Sequence, residues 1–590
     1  MAGLIGNAPI YLNGVLSLFF IFVLPGLALV SFLHIPSFPQ RWVAVLLTSL
    51  TVSHALVVLV AAFHLDPLTS FRTAVAALVV ALVAGTIRQR YRPNGAASAS
   101  MLNASDLRLL LIGLVVLGLT YFNVWKNAVP NVFGEGDVSI SWNSWALIWW
   151  QGGFPSGALG YPQFIPTIWA ITYIFTGSTE QYFAFYIYIG LITVPLLLTA
   201  MCLGRIGWWQ PLIFGLTFIW FIAEIQEHWL RSTLEAGFPD WVVVVFALSG
   251  FALFVCDAPE RNFEQSRIVT ALAAICMLSI AAATKPLYGL VVVAFLLAAI
   301  VDARRLLNPA DRLKFLIGAA SVIALFVILY GIYYAHLTVH GMPAYPTTEL
   351  SQRLAGTWKI FSSNFTLPFK IVVAIGLLSG PFLPRVRWVM MPAYIALVVW
   401  VNTAGYDLRN VLGFLAISAF ITMYTAGRLF LAAKTVILSN AQWRAPDGVV
   451  AAVLAAVAFG ATSTLAVGDS YLKRRFAEDQ LSRGQGVEFN QKISQLLDQG
   501  CTLFSASSYP FTIHAFEPYR PRMAFFFYGL PLDGHTEELF SRATGCVAVL
   551  YPSEGLHPSF ENLITRYIQS RGLQKVLEDR GMVLVTSKAS

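Results

Sequence analysis

Four ionisable positions stand at the edges of apolar runs, where a charge is costly unless it has a partner or a task. The first is the turn Gly134-Glu135-Gly136-Asp137, with two carboxylates flanking a glycine. A carboxylate there can act as a general base if it reaches a hydroxyl and is partly sheltered from water. It can equally be a solvated acidic turn. The second is Asp240, in Glu235-Ala236-Gly237-Phe238-Pro239-Asp240-Trp241. It can stabilise the start of the helix that follows and can also add another acid to a shared cavity; the two readings are compatible. The third is Lys285, in Thr284-Lys285-Pro286-Leu287-Tyr288-Gly289, which either snorkels to the interface or contacts a phosphate. The fourth is Arg409, in Tyr406-Asp407-Leu408-Arg409-Asn410. Its guanidinium suits bidentate phosphate binding, or pairs with Asp407 or a lipid headgroup. The acids would serve an acceptor hydroxyl, and the cations a departing phosphate.

These residues need elements to position them, and the composition says which kind. The chain has 590 residues, 57 % apolar and only 12 % charged, about half the charge that a soluble domain carries. Lipid must therefore face much of it. Apolar runs of spanning length centre on residues 12–33, 42–63, 70–87, 106–125, 182–203, 208–224, 239–256, 267–283, 286–301, 315–336, 366–383, 388–402, 408–431 and 448–467. The expected fold is an all-α polytopic membrane protein of about fourteen transmembrane helices, followed by a small soluble α/β domain. No Lys or Arg precedes Arg41, so the first run reads as a retained helix and not a cleaved signal. Arg88, Arg90 and Arg92 mark the cytoplasmic side by the positive-inside bias. Alternation then puts residues 126–181 and 337–365 outside, together with the tail 468–590, although Lys473, Arg474 and Arg475 run against the bias. Three units follow: N-terminal helices in 1–100, a membrane region in 101–467 with the outer loop 126–181, and the C-terminal domain in 468–590. The Pro-, Gly- and Ser-containing segment 93–105 reads as a linker.

Trp142, Trp145 and Trp149 share one face of an expected helix after Asp137, which should lie flat in the headgroup layer. Glu224, Glu227, His228 and Arg231 lie on a second outer loop and are expected to line the cavity. His336 and His340 have helical spacing but lack a third metal ligand. Cys501 and Cys546 are able to form a disulfide if the tail is outside the cytoplasm, and otherwise stay free. In the tail, 489–499 and 559–571 read as helices, and 501–505, 546–551 and 582–586 as strands. No Walker loop, GxSxG or dinucleotide fingerprint occurs. The net charge of +8 sets topology, so no nucleic-acid partner is expected.

Glu135 and Asp137 with the run Ser141-Trp142-Asn143-Ser144-Trp145-Ala146, then Tyr161-Pro162-Gln163-Phe164-Ile165-Pro166, resemble the GT-C superfamily of polytopic glycosyltransferases. So do Gly237-Phe238-Pro239-Asp240 and Thr284-Lys285 with Gly289, over roughly residues 106–431. Pro286, Tyr288 and Trp241 stand where the family carries other residue types. The resemblance implies inverting transfer of a sugar from a polyprenyl-phosphate-linked donor, on the periplasmic face of the inner membrane. It implies Asp137 as general base, supported by Glu135, and Lys285 and Arg409 as phosphate-binding residues. Asp240, Trp142, Asn143, Tyr161, Gln163, His228 and Arg231 would face the cavity or acceptor. The implied partners are that donor, a glycan, lipid or protein acceptor, and membrane lipids. No cofactor is needed; a divalent cation is compatible with this chemistry but no dedicated metal site is expected. Rival readings are a lipid-linked glycan polymerase or ligase, a lipid-linked sugar transporter or flippase, and a non-catalytic membrane scaffold.

Overall fold

Apolar runs become helices because a chain in hydrocarbon must satisfy its own backbone. The structure, a computed structural model, describes residues 8–91, 137–225, 233–256, 264–337, 349–437, 486–526 and 540–587, apart from scattered positions within them. Phe133, 536–537 and a few residues between 107 and 118 are also described. Glu135, Glu227, His228, Arg231, His340 and Asp407 lie outside the described residues. So do 93–105, the apolar run 448–467 and Lys473, Arg474 and Arg475. Among the described residues, six helices are long and apolar enough to cross a membrane: Pro9–Val30, Phe38–Ala62, Pro67–Arg88, Tyr182–Gly204, Pro309–Ala335 and Leu408–Leu429. Shorter apolar helices accompany them.

The site is framed by α1 (Ala8–Phe22), α2 (Phe38–Ala62), α3 (Ser144–Trp150), α4 (Phe164–Thr176), α5 (Tyr182–Gly204), α6 (Asp240–Val255), α7 (Glu264–Ala282) and α8 (Leu412–Ile437). Helix α6 is apolar around its whole circumference, as a core helix must be, and all its side chains are buried. It packs against α5, α7 and α8.

Two features differ from the sequence reading. Residues 126–181 do not form a plain outer loop, because they contain α4, an apolar helix of 13 residues that is almost wholly buried. Helix α4 packs on α1, α2 and α3, and is too short to register as a span. The tryptophan helix does not turn Trp142 and Trp149 toward lipid either. It is a π-helical turn, Val138–Asn143, continued by α3. Trp142 and Trp149 are 3 % and 1 % exposed, so protein and not lipid covers their indoles.

The C-terminal region forms a five-stranded mixed sheet in the order β2-β1-β3-β5-β4. The strands are β1 (Thr502–Ser505), β2 (Met523–Phe525), β3 (Val547–Pro552), β4 (Gln574–Asp579) and β5 (Met582–Thr586). Alternating residues sort to two faces, as the strand period of two requires. Leu503, Ala548, Leu550 and Leu584 meet α9 (Val487–Asp498). Phe504, Val547, Val549 and Val585 meet α10 (Pro558–Arg571). Cys501 and Cys546 are joined by a disulfide, at the entries of the paired strands β1 and β3.

This tail domain touches the membrane body. Its 3-10 segment His514–Arg522 packs against α3, and Ile140 of the π-turn packs against the core on the α9 face of the sheet. Val138, Ser139, Trp142 and Asn143 face the body and are buried. The turn is thus gripped from both sides. Ile140→Asp puts a charge in the apolar grip, weakening it by roughly 1–3 kcal/mol. The expected result is faster tryptic separation of tail from body than in wild type or Ile140→Val, followed on a gel.

Candidate functional site

Each charged residue is held by its own backbone device. Helix α7 ends in a wrap where Lys285 N–H donates to the Ala281 carbonyl (2.8 Å). The 3-10 turn Pro286–Tyr288 follows, with proline in its first position, where the missing N–H costs nothing. The Tyr288 hydroxyl accepts from Gly413 N–H (2.9 Å), and its ring stacks on Phe414 at 4.7 Å. A Cβ on Gly413 would lie 2.5 Å from that hydroxyl, so only glycine allows the contact. This joins the Lys285 turn to the 3-10 turn Leu408–Val411, which carries Arg409 and Asn410. Phe164 N–H donates to the Ala283 carbonyl (3.2 Å), which ties the Tyr161–Gln163 segment to the same corner.

Gly237 turns the chain into α6 with φ of 89°, a left-handed conformation natural to glycine. A Cβ there would lie 2.9 Å from the Phe133 ring. Asp240 is the first residue of α6, and Pro239 occupies the N-cap position without a side-chain cap. Asp240 is therefore not a cap. Its carboxylate points to Lys285, with Nζ to Oδ1 at 2.9 Å and side chains 9 % and 1 % exposed. Trp241, unexpected after an acid, is fully buried and donates its indole N–H to Thr233 Oγ1 (2.9 Å).

The second ion pair lies at the rim. Arg409 Nη1 donates to Asp137 Oδ2 at 2.8 Å, with side chains 22 % and 45 % exposed. The Ser141 hydroxyl donates to the other Asp137 oxygen (3.2 Å). The guanidinium also covers the face of Phe238 at 5.2 Å, an attractive placement. Lys285 donates to Asn410 Oδ1 (3.2 Å), so one turn carries one cation, Arg409, and at the next residue a partner of the other. Asp137, Arg409, Asn410, Lys285 and Asp240 form one continuous run of contacts. Arg409 and Asp137 therefore pair with each other; the other partner considered, Asp407, lies outside the described residues.

Aromatic rings wall the cluster. Lys285 Nζ sits 5.3 Å from the Tyr161 ring centre and 6.0 Å from that of Trp142, and the two rings meet edge to face at 5.4 Å. Burial pushes the Tyr161 hydroxyl up to about 12, against the opposing pull of Lys285; Asp240 and Asp137 also act on it. Tyr161 thus stays neutral at physiological pH.

Asn143 and Gln163 sit in the framework behind the cluster. Tyr173 donates to Asn143 Oδ1 (2.6 Å). Trp149 donates to Gln163 Oε1 (3.1 Å), and Gln163 Nε2 donates to the Tyr161 carbonyl (2.8 Å). Glu224 accepts from the Thr366 hydroxyl, and His336 stacks on Phe154 at 4.3 Å. Among the described residues, no three His, Cys, Asp or Glu side chains group to hold a metal ion. Asn410 and the Tyr288–Gly413 contact escaped the sequence reading; Asn410 had only its place beside Arg409 as a signal.

No protein-family profile and no curated protein matches this chain. Among solved structures it is similar to the Archaeoglobus fulgidus oligosaccharyltransferase in its apo form. The TM-score is 0.39 at 12 % identity, over 76 % of this chain and 70 % of that one. The same protein tethered by a disulfide to an acceptor peptide with the NVT sequon gives 0.40 at 12 % identity, over 76 % and 69 %. Similarity at this level assigns no residue role to this chain.

Removing one partner of a buried ion pair strands the other, at about 3–5 kcal/mol. Asp240→Asn is expected to lower the thermal midpoint of the purified protein accordingly. The double variant Asp240→Leu with Lys285→Met should recover most of the loss, read by thermal denaturation in detergent.

Proposed function

We propose that this chain is a membrane glycosyltransferase. It moves a sugar from a polyprenyl-phosphate-linked donor to an acceptor hydroxyl, with inversion, on the periplasmic face of the inner membrane. The observation that carries this reading is the contact run Asp137–Arg409–Asn410–Lys285–Asp240. It gathers, from four distant stretches of chain, an accessible carboxylate and two cations at one edge of an apolar body. A transporter or flippase would instead favour charges and broken helices at the midplane.

In this mechanism the Asp137 carboxylate takes the acceptor hydroxyl proton as the oxygen bonds to the anomeric carbon. The bond from that carbon to the phosphate oxygen breaks, and the electron pair leaves with the lipid phosphate. The transition state has oxocarbenium character. Arg409 and Lys285 stabilise the charge growing on phosphate, the kind of effect that usually dominates such steps. Glu135 orients the acceptor. The Trp142 and Tyr161 rings exclude water behind Lys285, which strengthens its field. Confinement of the reactants to one lipid layer lowers the entropic cost of encounter.

Orientation rests on the tail. Its disulfide belongs in an oxidising compartment. The tail contacts the turn next to Asp137, so the site goes on the same side. The fourteen spans expected from the sequence, with their basic segments inside, would put the site on that side as well.

Asp137→Asn keeps the shape and removes the base. Sugar transfer by protein that inserts and purifies normally is expected to fall about 10²–10⁴-fold. The assay follows labelled sugar on the acceptor and release of polyprenyl phosphate; wild-type turnover would remove Asp137 from the mechanism.

A further inference from the structure

The four charges of the cluster cancel. Asp137 and Asp240 supply two negative charges, and Lys285 and Arg409 supply two positive ones, each acid paired with one cation. A phosphate entering such a site meets no surplus positive charge from these four residues, and must take a cation from a carboxylate. The two pairs differ in how readily they yield. Asp240 and Lys285 are almost sealed from water, so opening them would strand a charge in a poorly solvated place. Asp137 and Arg409 lie at the rim, with the carboxylate 45 % exposed, where water can solvate whatever is released. The Ser141 hydroxyl remains on Asp137 Oδ1, and the Phe238 face remains under Arg409, so neither side chain loses its seat.

We propose that the site works by anion exchange: the phosphate of a polyprenyl-phosphate donor displaces Asp137 from Arg409, and the displaced carboxylate becomes the free base. This rests on the glycosyltransferase reading and adds an order of events to it. Before the donor binds, Asp137 Oδ2 is occupied by the guanidinium and is not open to an acceptor hydroxyl. After exchange, Arg409 holds phosphate, and Asp137 is released next to the sugar it must help to transfer. Base activation thus depends on donor phosphate, and the donor binds first. The buried Asp240–Lys285 pair stays closed and presents a cation already fixed by Asn410.

Exchange has a signature opposite to that of an ordinary binding residue. Asp137 competes with phosphate for Arg409, so removing its charge should tighten phosphate binding even as transfer is lost. The probe is farnesyl monophosphate, titrated calorimetrically into wild type, Asp137→Asn, Arg409→Gln and the double variant, with farnesol and inorganic phosphate as parallel arms. The expected result is binding about two- to fivefold tighter in Asp137→Asn, the size of a partly exposed ion pair. The gain should vanish when Arg409 is already glutamine. Equal or weaker binding by Asp137→Asn overturns the exchange, as does a gain that persists without Arg409. Inorganic phosphate showing the same gain means that the phosphate group alone drives exchange. A gain restricted to farnesyl phosphate means that the lipid must seat it, and either outcome supports exchange. Binding of farnesol as tight as farnesyl phosphate overturns it. Transfer retained by Asp137→Asn would sink the base assignment, while leaving the binding comparison to judge the exchange separately. Failure of wild type to bind farnesyl phosphate overturns both.

Discussion

A lysine buried in an apolar helical body must find an opposite charge, and the meeting of Lys285 with Asp240 at 2.9 Å organises everything around it. The contact requires α7 to end, α6 to begin and the 408–411 turn to pass at one corner of the molecule. Gly237 supplies the bend that makes Asp240 the first residue of its helix. Gly413 supplies the space that lets Tyr288 latch the neighbouring turn. Apolar residues of similar volume would often be as stable as a buried ion pair, so stability alone does not account for these charges.

The two ion pairs have the same chemistry in different surroundings. One is enclosed by Trp142, Tyr161 and Asn410 and acts as fixed charge. The other meets water on both partners and feels ionic strength. A fixed cation can be oriented before any substrate arrives, which removes reorganisation from the reaction step. An exposed pair can be rearranged at modest cost. The tail domain adds a third element, because Ile140 links its core to the turn that follows Asp137.

Much of the fold was legible in the sequence. Helical runs such as 182–203 and 239–256 appear as α5 and α6, because hydropathy over spanning length is a strong signal. Three strands and both helices of the tail appear within a few residues, and the aromatic stretch 525–528, which reads as a core strand, begins at the last residue of β2; β4 was not anticipated. Strand β4 is polar on its exposed positions. The charges Asp240, Lys285 and Arg409 stood out because they interrupt apolar surroundings. Their pairing did not, since partners far apart in sequence leave no local trace. The tryptophan spacing was read as an interfacial face, but an indole stripe looks the same in sequence whether lipid or protein covers it. Asn143 and Gln163 likewise gave no sign that their bonds would go to Tyr173 and Trp149.

The π-helical turn Val138–Asn143 has a further consequence for how this segment tolerates change in length. A π turn holds one more residue between bonded partners than an α turn does. Deleting one residue would let the segment relax to α geometry, where each residue advances about 100° around the axis. The deleted residue is the one that the π turn absorbs, so Asp137 would keep nearly its present azimuth against α3 and Trp149. A single-codon deletion inside the turn would therefore remove one contact and leave the carboxylate in phase with the helix that follows, whereas a deletion within α3 itself would rotate every residue before it by about 100°.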